Sequence, residues 1–214
     1  CDFHFSTSLK YRDEMLRAME QEVALQSHYL TDSRIESIYF GGGTPSLLEA
    51  DELSRLVDTV AHYFDVQPDA EITIEANPDD LSGQKVAAMR HTAINRFSIG
   101  IQSFFEEDLR WMNRAHNAIE AAEAIQRVQD SGYQNITADL IYGYPLLTDQ
   151  KWQQNINQLL DFGIPHVSAY GMTIEPQTAL AAFIRKGKQS PMDENQSAAQ
   201  FEQLMERLAA AGYE

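Results

Sequence analysis

The chain has 214 residues, 43% of them hydrophobic, which suits a single folded domain with a substantial core. It carries 32 Asp plus Glu against 16 Lys plus Arg, and the resulting charge of −16 would repel a nucleic-acid backbone, so we expect no nucleic-acid partner. No apolar run approaches the ~20 residues of a membrane span, and a lone cysteine excludes an internal disulfide and is typical of a cytoplasmic protein.

Hydrophobic periodicity alternates between helix and strand along the chain. The first predicted helix covers roughly residues 9–30, with Met15, Met19 and Val23 on one apolar face. The predicted strands are residues 35–40, 71–77, 95–102, 135–143 and 166–172. The other predicted helices are 53–64, 82–92, 106–112, 118–131 with Gly132 as its C-cap, 149–162, 178–186 and 193–211.

Five strands separated by helices predict a parallel α/β sheet. Strands of such a sheet are usually apolar on both faces, but several of these alternate. In residues 71–77, for example, Ile72 and Ile74 oppose Thr73 and Glu75. The apolar face can pack on helices while the polar face lines a shared wet interior. This favours a barrel over an open doubly wound sheet.

Three polar side chains lie at or near the C-terminal ends of successive strands: Glu75, Gln102 and Asp139. Parallel α/β proteins build their sites at that end. A buried carboxylate also needs partners, since it is costly to leave unpaired. The three residues therefore mark either a ligand site or a polar network that only stabilises the barrel.

The segment YFGGGTPS, residues 39–46, places three glycines directly after a strand. Glycine is costly in backbone entropy, so three together indicate a close backbone approach to something. The Gly-Lys-Ser/Thr ending of a P-loop and the spacing of a dinucleotide fingerprint are both absent. The loop therefore predicts a ligand other than a nucleotide triphosphate.

Ordered motifs along nearly the whole chain resemble the radical S-adenosylmethionine (SAM) superfamily, in the branch of oxygen-independent coproporphyrinogen III oxidases and HemW-type haem chaperones. They are CDFHFSTS, YFGGGTPSLL, EITIEANPDDL, RFSIGIQSF, WMNRAHN, DLIYGYPLLT and VSAYGMTIEPQTAL. The resemblance implies that residues 1–214 form a partial radical SAM core domain. Its expected fold is an incomplete (β/α)6 TIM-like barrel whose first strand would precede Cys1 and whose C-terminal domain would follow Glu214.

The resemblance also assigns cofactor-binding residues. The glycine loop would line the amino-acid part of SAM, and the positions that match SAM contacts are Gly42, Gly43, Thr44, Glu75, Gln102, Arg114 and Asp139. Arg114 would suit the SAM carboxylate through its bidentate fork. Cys1, followed by Asp2 and Phe3, matches the third thiolate ligand of a 4Fe–4S cluster, and the first two cysteines would precede this sequence.

The resemblance implies one-electron cleavage of SAM to a 5′-deoxyadenosyl radical, with electrons from a flavodoxin-type donor. Within the family, Phe3 stands where the dehydrogenases usually carry a fourth cysteine, which favours a haem-binding chaperone over a coproporphyrinogen III dehydrogenase. Haem or a porphyrinogen is thus the expected partner.

Two readings outside the family remain: a barrel enzyme whose glycine loop holds a phosphorylated metabolite, and an inert scaffold. The scattered histidines, among them His4, His91, His116 and His166, are expected to be structural.

Overall fold

The computed structural model describes residues 8–214. Its strands are β1 (Arg34–Phe40), β2 (Asp65–Ala76), β3 (Arg96–Gln102), β4 (Asn135–Tyr142) and β5 (His166–Gly171). Its helices are α1 (Arg12–Leu25), α2 (Ala50–Tyr63), α3 (Gly83–Met89), α4 (Glu106–Trp111), α5 (Ala118–Asp130), α6 (Asp149–Asp161), α7 (Ala179–Arg185) and α8 (Glu194–Ala210). Short 3₁₀ turns at Pro45–Leu47 and Pro78–Asp80 follow β1 and β2.

The described strands form one parallel sheet in the order β1-β2-β3-β4-β5. The sheet curls into a half-barrel with helices outside, so the predicted incomplete α/β barrel is confirmed. The apolar strand face packs on those helices, where Ile74, Phe97 and Ile136 are fully buried. The polar face lines the concave interior, as the alternation predicted. This arrangement brings the C-terminal ends of all five strands to one rim.

Local sequence signals explain most helix boundaries. The α5 helix begins at a capping box in which the Asn117 side chain accepts from the backbone of Glu120, whose own side chain accepts from the Asn117 amide. It ends before Gly132, whose φ of 89° is the left-handed conformation that glycine adopts without penalty. On α2, the predicted apolar residues Leu53, Leu56 and Val57 are buried.

The predicted apolar face of α1 is wrong. Leu16 is the buried residue of that helix at 1% exposure, whereas Met15 and Met19 are 57% and 40% exposed. The helix contacts α2, where Arg12 pairs with the buried Glu52 at 3.2 Å. Periodicity alone does not identify the buried side of α1, because the flexible methionine side chain is tolerated both inside and at the edge of a packed helix face.

Strand β2 begins six residues before its predicted start. Pro68 and Asp69 argue against a strand, since proline cannot donate to a ladder and is confined to edges and irregularities. The structure resolves this conflict with a register shift: Ile35 pairs with Val66, but Ser37 pairs with Glu71. Residues 67–70 are thereby left out of the pairing with β1, and the proline costs no ladder hydrogen bond.

Candidate functional site

A cavity of about 230 Å³ opens at the C-terminal rim of the half-barrel. Six of the predicted site residues line it: Gly43, Thr44, Glu75, Gln102, Arg114 and Asp139. Gly42 directly precedes Gly43 in the chain, and its backbone amide donates a hydrogen bond to the Glu75 carboxylate. Cys1 lies outside the described residues. The structure therefore brings together, in one concave site, side chains from the ends of β2, β3 and β4 and the loops beside them.

The three glycines of the β1 loop have different roles. Gly42 and Gly43 have φ of 74° and 59°, and among residues 8–214 no atom lies within 4 Å of a Cβ placed on either. Their requirement is therefore conformational. At Gly41 the requirement is space, because a Cβ there would lie 2.6 Å from Cε1 of Tyr39 and 3.2 Å from Oε1 of Glu75.

Glu75 is held by two donors. The Tyr39 hydroxyl donates to Oε1 at 2.9 Å, and the Gly42 amide donates to Oε2 at 2.9 Å. This supplies the partners that a half-buried carboxylate needs. It also commits the Gly42 amide to a carboxylate of the protein itself. A loop that cradled a phosphate would instead point its amides at the ligand, so this geometry disfavours the phosphorylated-metabolite alternative.

Asp139 is the second carboxylate of the cavity, and the Ser98 hydroxyl donates to its Oδ1 at 3.2 Å. Burial raises the pKa of Asp139 to about 6. The Ser98 hydrogen bond opposes that rise, and the negative charge of Glu75 adds to it. Asp139 is thus ionised at neutral pH but close to its titration range.

The Asp139→Asn substitution is expected to stabilise the fold at pH 7.5 by about 1 kcal/mol, a value discounted for partial solvent access. A carboxyl whose pKa is raised by folding stabilises the native state only while protonated, and this contribution is lost as pH rises through about 6. The gain should therefore shrink as pH falls from 7.5 towards 5. Thermal unfolding at the two pH values measures it, with the exposed Asp58→Asn on α2 as the matched control. Equal destabilisation at both pH values would contradict this account.

Arg114 reaches the cavity from the turn after α4, where Asn113 adopts a φ of 55°. Its Nη2 donates to Oδ1 of Asn77 at 2.7 Å, while its buried Nε has no hydrogen-bond partner among residues 8–214. Burial lowers the pKa of the guanidinium, against the opposing pull of Asp79 and Asp139. A half-buried guanidinium that lines a cavity is suited to an anionic group of a ligand.

Gln102 ends β3 in a strained conformation. Its φ of 67° is left-handed, which is uncommon for a residue other than glycine, and the β3–β4 register shifts between Ile99 and Gln102. A Cβ on Gly100 would lie 2.8 Å from the Gln102 amide nitrogen. Gly100 thus leaves room for the glutamine side chain to fold back into the cavity, a role that the sequence pattern did not reveal.

Sequence reasoning missed the residues that connect the cavity loops. The Ser46 hydroxyl, 1% exposed, donates to Oδ2 of Asp80 at 2.6 Å and accepts from the Asn77 amide at 3.3 Å. Since Asn77 also holds Arg114, Ser46 couples the glycine loop to the guanidinium. The sequence signal for this link is Ser46 in the segment GGGTPS, but a serine in a loop does not by itself indicate which groups it bonds.

A second missed network anchors α4, the helix that leads to Arg114. Asp108 is fully buried and accepts from the Tyr144 hydroxyl at 2.8 Å, the Ser103 hydroxyl at 3.0 Å and Lys151 Nζ at 2.9 Å. A buried carboxylate with three donors, one of them cationic, is well satisfied. It ties α4 to the loop after β4 and to α6.

Of the histidines expected to be structural, His116 and His166 have side-chain hydrogen-bond partners, whereas His91 is exposed. His116 is 2% exposed, and its Nε2 donates to the carbonyl of Ile101 at 3.1 Å, which leaves Nδ1 facing Asp79 at 3.7 Å. Burial lowers the pKa of His116. His166 shares a hydrogen bond with Thr137 at the opposite end of the barrel. His4 lies outside the described residues.

Within residues 8–214, His, Cys, Asp and Glu side chains form no group of three placed to hold a metal.

No helix within residues 8–214 is both long and apolar enough to cross a membrane.

Comparison with known proteins gives a consistent result. Residues 1–159 match the family described as the Radical SAM superfamily. The Heme chaperone HemW of Mycobacterium tuberculosis (strain H37Rv) is 34% identical over 217 residues, covering 100% of this chain and 56% of the relative. The Heme chaperone HemW of Escherichia coli (strain K12) is 33% identical over 223 residues, again with 100% and 56% coverage.

Among solved structures, the coproporphyrinogen III oxidase HemN from Escherichia coli, described as a radical SAM enzyme, superposes with a TM-score of 0.83. The match covers 100% of this chain and 49% of that chain at 24% identity, and so supports the fold alone. The chain spans about half the length of the curated relatives it matches.

Proposed function

The chain belongs to the radical SAM superfamily, and from that premise we propose that its rim cavity binds SAM next to a 4Fe–4S cluster. One observation carries the proposal: Glu75, Asp139 and Arg114 come from three separate parts of the chain and line the same cavity. Polar groups that converge in a concave site are the usual mark of a ligand site.

The charges of the cavity suit SAM. Glu75 and Asp139 face one guanidinium, so the described lining has a net negative charge. SAM carries a sulfonium, an ammonium and a carboxylate, which sum to one net positive charge. The carboxylates can accept from the ammonium and the ribose hydroxyls, and the Arg114 guanidinium that lines the cavity can donate to the SAM carboxylate. The residues present therefore fit this cofactor.

Each part of the site has a role in that proposal. Gly42 and Gly43 hold the left-handed turn that keeps the loop open beside the cavity, and Thr44 follows them on its wall. Gln102 supplies an uncharged amide to the lining of the cavity. Cys1 is proposed as a thiolate ligand of the cluster. When bound, the cluster and SAM would supply one-electron radical chemistry, while the protein contributes binding, orientation and exclusion of water.

The complete protein is proposed to be a haem-binding chaperone that acts in the cytoplasm on haem or a porphyrinogen. A flavodoxin-type donor is proposed to reduce its cluster. The similarity to two bacterial proteins named Heme chaperone HemW supports this, at 33% and 34% identity over the whole chain. Phe3 at the position of the fourth dehydrogenase cysteine supports it as well. The residues described would form the cofactor-binding core domain of such a protein.

The second candidate is a coproporphyrinogen III dehydrogenase. The shared fold with a coproporphyrinogen III oxidase is compatible with it, and every position of this chain that the resemblance matches to SAM is intact under either function. Cofactor binding therefore cannot separate the two functions, whereas product formation can.

An anaerobic assay of the complete protein with SAM, a reductant and coproporphyrinogen III distinguishes them. We expect haem to bind and pass to an acceptor protein, with no conversion to protoporphyrinogen IX beyond a single turnover. Multiple turnovers to protoporphyrinogen IX would reverse the order of the two functions. A protein that binds neither haem nor SAM after cluster reconstitution would contradict both.

A further inference from the structure

The Tyr39 side chain crosses from β1 to the end of β2. Its hydroxyl lies 2.9 Å from Oε1 of Glu75, although the backbone of Tyr39 pairs with Thr73, two residues earlier. The second oxygen of the same carboxylate accepts from the Gly42 amide at 2.9 Å. Each Glu75 oxygen thus has one fixed donor, and the remaining lone pairs are available to the cavity that Glu75 lines.

The loop leaves room for this pair. A Cβ on Gly41 would lie 2.6 and 2.9 Å from two carbons of the Tyr39 ring and 3.2 Å from Oε1 of Glu75. Real Cβ atoms essentially never approach a ring carbon so closely, so any residue other than glycine would push the ring away from Glu75. The absence of a side chain at Gly41 is therefore explained by contacts within the protein, independently of a ligand.

We propose that Tyr39 is a positioning residue that fixes the Glu75 carboxylate for hydrogen bonding to SAM. This inference rests on the proposed function, since it takes SAM as the occupant of the cavity. A glutamate carboxylate, carried on three rotatable side-chain bonds, loses conformational freedom when a ligand binds, and fixing it beforehand removes that cost. The hydroxyl and the Gly42 amide together provide the fixation.

The tyrosine is suited to act as a permanent donor. Burial raises its pKa to about 12, and the hydrogen bond to Glu75 and the negative charge of Glu75 add to this. The phenol thus stays protonated across the pH range in which the protein folds. The residue is 56% exposed, so loss of the hydroxyl alone removes little packing.

The experiment compares Tyr39→Phe, Glu75→Ala and the double variant in the complete, cluster-loaded protein, with the SAM dissociation constant measured by anaerobic calorimetry. Tyr39→Phe is expected to weaken SAM binding about 10-fold, as for a lost hydrogen bond to a charged group. In the Glu75→Ala background the same change should cost less than about 2-fold, since the two act as a unit. Tyr63→Phe, an exposed tyrosine at the end of α2, is the matched control and should have no effect.

Two further measurements keep the outcome clear. Gly41→Ala keeps the hydroxyl but displaces the ring, and it should reproduce the Tyr39→Phe loss. Without SAM, the Tyr39 pKa measured by NMR of ¹³C-labelled tyrosine should fall in Glu75→Gln, because the anionic acceptor is gone.

An unchanged SAM affinity in Tyr39→Phe, a full effect in the Glu75→Ala background, or an unchanged Tyr39 pKa in Glu75→Gln would each overturn the positioning role and leave the proposed function standing. A wild-type protein that carries its cluster yet binds no SAM would overturn the proposed function, and this inference with it.

Discussion

Replacement of Cys1 with alanine is expected to remove the iron–sulfur cluster from the complete protein. Three thiolates hold a cluster of this type by resemblance to the family, and Cys1 matches the third of them. Two remaining thiolates would leave a second iron without a protein ligand. We expect iron content to fall from about four to less than about one per chain, with loss of the broad visible absorbance.

Iron and sulfide analysis after anaerobic reconstitution measures this directly. Glu75→Ala provides the control, because its side chain is proposed to contact SAM and it should keep its full iron content. Full iron content in Cys1→Ala would show that the ligand assignment is wrong.

Replacement of Arg114 with alanine is expected to weaken SAM binding about 100-fold and to leave the cluster intact. The guanidinium is half-buried and lines the cavity, so it would form a partly desolvated, charge-assisted pair with a bound carboxylate. Truncating one partner of such a pair typically costs 2 kcal/mol or more, on the order of 30- to 100-fold. Anaerobic calorimetry with SAM measures the loss.

Two companion variants sharpen the Arg114 experiment. Arg110→Ala removes an arginine four residues earlier, on α4, whose side chain is 77% exposed and pairs with Glu106, and it should bind SAM normally. Arg114→Lys keeps the charge but lacks the planar fork, so it should recover only part of the affinity. If Arg110→Ala and Arg114→Ala lose affinity equally, the loss reflects net charge and the proposed contact fails.

The sequence was sufficient for the fold because period-2 alternation in the strands carries two signals at once. In β2, Ile72 and Ile74 pack on the helices, while Glu75 lines the cavity. Parallel strands with one polar face are compatible with few architectures other than a curled sheet that encloses a wet interior. The same parity predicts that Asp139 and Glu75 share one rim, and both line the cavity there.

The details of the site depend on contacts between residues far apart in the chain, which local patterns do not encode. The bond from Tyr39 to Glu75 spans 36 positions, and that from Arg114 to Asn77 spans 37. The left-handed φ of Gln102 coincides with a register shift between β3 and β4. A polar residue at a strand end does not by itself predict such a shift. Likewise, the side of α1 that is buried depends on its contact with α2, so Leu16 is buried while Met15 and Met19 are exposed.

The central claim is that SAM occupies the cavity between Glu75, Asp139 and Arg114. An anaerobic crystal structure of the complete protein with its cluster and saturating SAM tests it most directly. We expect SAM density in this cavity, with its carboxylate on the Arg114 guanidinium and its donors on the two acidic side chains. SAM bound elsewhere, or only solvent among these three side chains, would contradict the account.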